Sequence, residues 1–547
     1  MSAVDDRPLD PLPATVPAGG LHSGFLRSAE RFPDRPALEI GGEVLAYAQL
    51  RDRAASVAAT LAAHTPDGGA PLVGDFAYRT TTAFSGLLGA LLSGAGYVPL
   101  NRKLPAARTK LMFERSDARA IVVDAESAEQ LPEVLDGLPP TLVLAPDEAD
   151  VSALAAALPG HTVLGAADLE PAAAWSPPVV DEQALAYILF TSGSTGVPKG
   201  VMVCHRNATQ LMRNMVERYA VTEHDRVSQT HELTFDVSVF DMFVTWEAGA
   251  ALCCPSEKEL IKPGGWIRSQ EITIWFSVPS TAIFMKRLGM LKPGAYPGLR
   301  HSMFAGEALP VEVAKAWLAA APNSTVENLY GPTEATIVCV GYAWDPAKSD
   351  AEVEAGTVPI GQALPDCTAL VLDPHTLEAV APGETGELVI GGRQVTLGYW
   401  RDEDKTAAAF IVPPGHGERC YRTGDRVRRP KADGGAITYL GRLDNQIKVR
   451  GVRVELGEVE AVIRQVTGND AVVCVGWPVT PVGVDGIVAF IAEPELPVPA
   501  TKAALEGLLP VHMVPRRFEL LAELPLNASG KFDRRALLAS LEEGGAK

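Results

Sequence analysis

Fourteen residues, Tyr187 to Gly200 (YILFTSGSTGVPKG), bring hydroxyls, glycines and one cation together at a spacing that suits an anion. An apolar run, Tyr187 to Phe190, is long enough for one buried strand. It gives way to Thr191, Ser192, Gly193, Ser194, Thr195, Gly196, Val197, Pro198, Lys199 and Gly200. Small residues let a backbone approach a phosphate, the amides form a positive concavity, and the lysine adds charge. Pro198 before Lys199 and Gly200 after it exclude the Gly-Lys-Ser/Thr loop that opens a helix. A flexible surface turn is the plain alternative, although three glycines, four hydroxyls and a lysine in ten residues exceed what a turn requires.

Other residues could do chemistry only with partners. Asp236 lies in the apolar stretch Phe235 to Asp241 (FDVSVFD), where an ionised carboxylate is costly unless paired. It fits a partner for a substrate ammonium and equally an N-cap for the helix that starts there. In NLYGPTEAT, Gly331 and Pro332 set a sharp turn, and Glu334 beyond it is either an oxygen ligand for a hard cation such as Mg²⁺ or an exposed turn carboxylate. Tyr330 offers a flat face for a base. Asp425, in YRTGDRV, could accept two ribose hydroxyls or simply form the turn. Lys531, in SGKFDRR, sits in a loop near the end, where a lone lysine is ordinarily only solvated.

The elements that must position these residues follow from the whole chain. At 547 residues it is too long for one core and should divide into domains. A hydrophobic fraction of 47% with 21% charged residues is an ordinary globular composition, and the net charge of −19 argues against a dedicated nucleic-acid binder. Seven cysteines without a C-x-x-C pair suggest neither a disulfide framework nor a zinc site. The start has no basic, then apolar, signal-peptide pattern, and residues 1–20 are expected to be a disordered lead-in. The most apolar long window, Phe84 to Leu100, carries four glycines, two serines and a proline, a poor membrane span. The expectation is a cytoplasmic protein with no membrane and no nucleic-acid partner.

Helical and strand patterns alternate from Leu21, which predicts α/β architecture with helix-flanked, mainly parallel sheets. Pro and Ala enrichment between Leu154 and Pro178 reads as a loop or small insertion, and Gly386 to Tyr399 as one strand with Gly-rich ends. From Gly441, dense charge followed by an amphipathic helix from Leu456 marks the start of a small unit of roughly 100 residues.

Taken in order, these stretches resemble the motif series of the adenylate-forming enzymes, the superfamily of acyl- and aryl-CoA synthetases, luciferases and nonribosomal-peptide adenylation domains. The resemblance is strongest to amino-acid adenylation domains and runs from LAYAQL (Leu45 to Leu50) and GAGYVPLN (Gly94 to Asn101) to SGKFDRR (Ser529 to Arg535). It implies a large N-terminal ATP- and substrate-binding domain, residues 21–443. It also implies a small mobile α+β C-terminal domain, residues 444–547, with a hinge at Asp444. A substrate carboxylate would attack the α-phosphate of ATP to give an acyl-adenylate and pyrophosphate, the enzyme supplying positive charge and position.

By the same resemblance, the loop from Thr191 through Ser192, Gly193, Ser194, Thr195 and Gly196 to Lys199 would hold the β- and γ-phosphates. Glu334 would bind Mg²⁺ and Thr333 the α-phosphate. Gly306, Glu307, Ala308, Asn328, Leu329 and Tyr330 would frame the adenine, with Asp425 and Arg442 on the ribose. Lys531 would bridge the substrate carboxylate and the nucleotide. Asp236 would pair the substrate ammonium, in a pocket of Val237, Phe240, Ser277, Met303, Ala305, Leu329, Gly331, Ile337 and Val338. That pocket has no charge, so a small neutral, alanine-like amino acid is expected. No carrier motif follows Lys531, so a separate acyl or peptidyl carrier protein is expected to take the aminoacyl group on its phosphopantetheine thiol, within natural-product biosynthesis. Arg428, Arg429, Lys448 and Arg450 are candidates for its docking, and the stretch around Gly451 for the thiol's tunnel.

A CoA ligase for a short amino or carboxylic acid is the alternative enzyme. A binding protein that senses ATP or amino acids is the non-enzymatic one, although it would have no chemical need for Lys199, Glu334, Asp425 and Lys531 together. The sequence departs from the family at Asn101, where an acidic residue is common, and at Asp366, where Asn is frequent. The QTHELTFD stretch containing His231 and Leu233 is also less typical.

Overall fold

Two sheets share one apolar centre, and the sequence shows why in two helices. Thr81–Leu92 (TTAFSGLLGALL) and Val237–Ala248 (VSVFDMFVTWEA) are apolar almost all round, so they must be enclosed on every side. In the computed structural model, which describes residues 19–65, 72–193, 197–354, 356–444, 446–480, 482–492, 497–526 and 532–544, both lie in the largest core cluster. Strands of both large sheets contribute to that cluster, among them Leu38, Phe276, Met303, Tyr97 and Tyr187.

The first sheet runs in parallel through Thr325–Tyr330, His301–Phe304, Ile274–Ser277, Arg226–Ser228, Ala251–Cys254 and Pro36–Ile40. Antiparallel strands close its two edges: Val340–Ala343 with Gln362–Ala363, and Glu43–Ala46. The second is parallel through Leu185–Thr191, Gly96–Leu100, Leu72–Phe76, Ala120–Val123, Leu142–Ala145 and Thr162–Gly165. Lys199–Cys204 returns antiparallel beside Leu185–Thr191 and is joined by Gly398–Tyr399. A third, antiparallel sheet is built from Cys367–Leu372, Thr385–Gly392, Cys420–Arg428, Phe410–Ile411 and Thr438–Arg442. Beyond it come two small sheets. One carries the hairpin Gln446–Val449 with Val452–Glu455; the other carries Val472–Gly476, Ile487–Ile491 and Arg517–Leu520. The helix Leu456–Thr467 packs against Val472–Gly476 in a core cluster of its own.

The mixed α/β architecture expected from the alternating patterns is present. Two readings need correction. The stretch taken as a loop or insertion includes most of the helix Ser152–Ala157 and the edge strand Thr162–Gly165. That strand is short and half exposed, so only its pairing with Leu142–Ala145 identifies it. The stretch read as one strand to Tyr399 is two strands in different sheets. Gly392 turns the chain there with φ +104, and a Cβ at that position would lie 2.1 Å from the Asp366 carbonyl oxygen. All seven cysteines are free. Among the described residues no helix is long and apolar enough to cross a membrane.

Candidate active site

The glycine–hydroxyl loop joins two antiparallel strands in which Thr191 faces Lys199, so Lys199 begins a strand, as Pro198 requires. Gly193 has no alternative, because a Cβ there would meet the Val197 carbonyl oxygen at 2.0 Å. Its amide donates to Glu458 Oε2 at 3.0 Å, and the Ser192 hydroxyl donates to the Arg453 carbonyl at 3.0 Å. The loop amide is thus already bound to a carboxylate oxygen, the kind of acceptor a phosphate would supply. The Lys199 ammonium lies 5.0 Å from the Tyr399 ring centroid and 3.8 Å from Glu455. Burial, with Arg453 nearby, lowers its pKa. Ser194, Thr195, Gly196 and Lys531 lie outside the described residues.

Glu334 is not an exposed turn carboxylate. It is fully buried in the short turn Thr333–Ala335 and accepts from Tyr399 Oη at 2.8 Å and from Arg453 Nη1 at 3.1 and 3.0 Å. Burial would raise its pKa, but the Arg453 guanidinium and Lys199 more than offset this and hold it at about 2. An ionised, buried carboxylate with a cation already against both oxygens fits a divalent ion. One carboxylate is also what Mg²⁺ commonly takes when substrate phosphates complete its shell.

Asp425 is buried where the strands Cys420–Arg428 and Thr438–Arg442 pair. It accepts from Tyr330 Oη and, at 2.9 Å, from Arg442 Nη1. Arg442 also reaches Asp444 at 2.9 and 2.6 Å, so the expected ribose arginine and the expected hinge aspartate are one ion pair. Across from them, Gly306 turns the chain after His301–Phe304 with φ +89, and Glu307 accepts from the Ser280 amide at 2.7 Å. Ala308 follows in the same turn. The Asn328 side chain donates to the carbonyls of Val358 and Pro359, which fixes its orientation.

Asp236 occupies the N-cap position of its helix, but its side chain makes no capping bond. It is buried, and burial pushes its carboxyl up to about 6 against the pull of the Thr333 hydroxyl and His231. Thr333 thus lies near Asp236 as well as flanking Glu334. Val237, Phe240, Ser277, Met303, Ala305, Leu329, Ile337 and Val338 are all buried, and all but Ser277 belong to the central core. Gly331 packs on the Ile337 carbonyl, 2.4 Å from where a Cβ would sit. The Ser277 hydroxyl accepts from Trp275 Nε1 at 3.0 Å and donates to the Val278 carbonyl, which leaves an apolar lining.

Several groups at the site were not singled out from the sequence. Arg453, Glu455 and Glu458 come from the charged stretch after Gly441, and Arg108 pairs with Glu458 in the interior. Their signal was the charge density itself, which does not say which charges turn inward. Of the docking candidates, Arg428 is held by Glu354, Arg429 by the Val380 carbonyl, and Lys448 lies near Asp425 and Glu307. Arg450 is exposed.

The chain matches the AMP-binding enzyme family over residues 25–400. It belongs to that family. It is 35% identical to the AMB antimetabolite synthetase AmbB of Pseudomonas aeruginosa over 546 residues, 98% of this chain and 40% of that one. It is also 35% identical to the phosphinothricin tripeptide synthetase PhsC of Streptomyces viridochromogenes, covering 96% of this chain and 45% of that one. The chain thus spans less than half the length of these relatives. Its structure superposes on the Vibrio cholerae adenylation domain AlmE, solved in complex with glycyl-adenosine-5'-phosphate, with a TM-score of 0.85 at 28% identity, covering 99% of this chain and 100% of that one. IdnL7 is 37% identical, with a TM-score of 0.71, covering 96% of this chain and 99% of that one. This member of the AMP-binding enzyme family has the adenylate-forming fold.

Proposed function

We propose that this enzyme activates a small neutral amino acid as its aminoacyl-adenylate and passes it to the phosphopantetheine thiol of a carrier protein supplied in trans. Asp236 carries this reading. A buried carboxylate next to buried, uncharged residues suits a ligand that brings its own ammonium, and little else would justify burying that charge. The glycyl-adenylate bound by AlmE supports a small side chain. A relative solved with both adenylation and PCP domains, holo-PA1221, supports a carrier as acceptor; it is 26% identical, with a TM-score of 0.75, covering 95% of this chain and 84% of that one.

Glu334 would hold Mg²⁺, which neutralises phosphate charge when bound. Gly193, Ser192 and Lys199 would receive the outer phosphates, Thr333 the α-phosphate, and Asp425 with Arg442 the ribose. Arg453 and Glu458 stand where the ion and the phosphates would bind, so residues 444–547 must move away to admit the nucleotide. Lys531 would bridge the substrate carboxylate and the nucleotide. The pair Arg442–Asp444 is the natural pivot.

The test is amino-acid-dependent pyrophosphate exchange across a panel of neutral, charged and carboxylate-only substrates. Exchange with glycine, alanine or a similar amino acid is expected, and none with the matching acid that lacks an amine. Equal exchange with the amine-free acid would overturn the reading.

A further inference from the structure

The atypical QTHELTFD stretch contains an arrangement that the first half-reaction does not use. His231 Nδ1 lies 2.8 Å from Asp241 Oδ2, a carboxylate in the first turns of the mostly apolar helix Val237–Ala248. Both side chains are buried. A carboxylate can only accept, so Nδ1 carries the hydrogen and Nε2 keeps its lone pair, the tautomer that a general base needs.

The ring is held in place by Phe235 and Phe276, with centroids 5.8 and 5.4 Å away. Phe235 in turn borders the entrance expected for a thiol. A methyl group on Gly306 would lie 3.7 Å from both the Phe235 ring and the Gly451 carbonyl oxygen. On its other side His231 lines a small cavity with Arg79, Asn101 and Glu232, where the Asn101 amide donates to Glu232 at 2.7 Å. The unusual Asn101 is thereby explained: an acidic residue there would face Glu232. The cavity, about 10 Å³, has room for one water to carry a proton outward.

We propose that His231, oriented by Asp241, is the general base of the thioester-forming step. Its Nε2 takes the thiol proton as sulfur attacks the adenylate's carbonyl carbon. The C–S bond forms, the bond from the carbonyl carbon to the phosphate oxygen breaks, and AMP leaves as an anion that needs no proton. His231 then releases the proton to water. This rests on the thiol-transfer reading above. Asp241 is a positioning residue, since it acts through the imidazole.

The experiment traps preformed aminoacyl-adenylate in single turnovers with free pantetheine or with hydroxylamine, a nucleophile that needs no proton removed before attack. The charged and titratable groups facing His231 are Asp241 and Asp236 from the helix, Arg79 and Tyr78 across the cavity, and Glu232 beside it. His231→Gln is expected to slow thioester formation at pH 7 by about 10²-fold, while hydroxamate formation stays within about threefold of wild type. The variant's rate should climb about tenfold per pH unit, narrowing the gap as the thiol ionises at alkaline pH. Asp241→Asn should reduce thioester formation in the same direction. A wild-type rate that simply follows the thiolate fraction from pH 6 to 8 would overturn the proposal, and so would equal losses with both nucleophiles. Wild type that forms hydroxamate but no pantetheine thioester would overturn the thiol-transfer reading itself.

Discussion

Replacing Asp236 by Asn keeps the side chain's shape and removes its charge, so it separates what the carboxylate does for binding from what it does to stability. Burial raises the carboxyl from 3.8 to about 6 in the folded protein. A raised carboxylate pKa means that the folded state binds the proton more tightly than the unfolded chain does. Stability is then undiminished below pH 3.8 and falls as pH rises through 6. The shift of roughly two units corresponds to about 3 kcal/mol above pH 7. Roughly half of that is already present at pH 5.

Without substrate, Asp236→Asn should therefore be more stable than wild type, by more at pH 8 than at pH 5. Urea unfolding at the two pH values measures this. The same variant should lose amino-acid-dependent exchange. An ammonium buried against a neutral amide costs about 3–5 kcal/mol, or roughly 10²- to 10⁴-fold in kcat/KM. The KM for ATP should be unchanged. Exchange retained within threefold, or a stability gap that is the same at both pH values, would refute the argument.

Glu334→Gln leaves Arg453 and Lys199 without their buried counter-charge and should lower exchange by at least about 10²-fold at saturating Mg²⁺; a small loss reversed by added Mg²⁺ would count against Glu334 as the sole protein ligand. Gly193→Ala places a methyl 2.0 Å from the Val197 carbonyl, so the loop must rebuild and the KM for ATP should rise tenfold or more, as read by exchange at varied ATP. Arg108→Ala strips the cation from the fully buried Glu458, leaving it, among the described residues, only the Gly193 amide, and should loosen residues 444–547, at a cost of about 3–5 kcal/mol; faster proteolytic cleavage near Asp444 is the readout.

The sequence by itself determined the chemistry-bearing loop and much of the layered fold. A strand at Tyr187 to Phe190 ending in glycine and hydroxyls, and two helices apolar on every face, are local patterns with local causes. It also determined that Lys199 could not open a helix, because proline acts on its own neighbours. It left Asp236, Glu334 and Asp425 ambiguous, since a carboxylate's role depends on what lies across from it. Only the tertiary structure placed Tyr399 and Arg453 on Glu334, left the Asp236 carboxylate out of its cap, and paired Asp425 with Arg442. The same holds for Glu458 and His231. One is 265 residues from the amide it accepts from, and the other is fixed by a helical carboxylate that no spacing rule connects to it. Electrostatic partnership is a matter of distance in space, and the chain encodes it only through the packing that brings remote segments together.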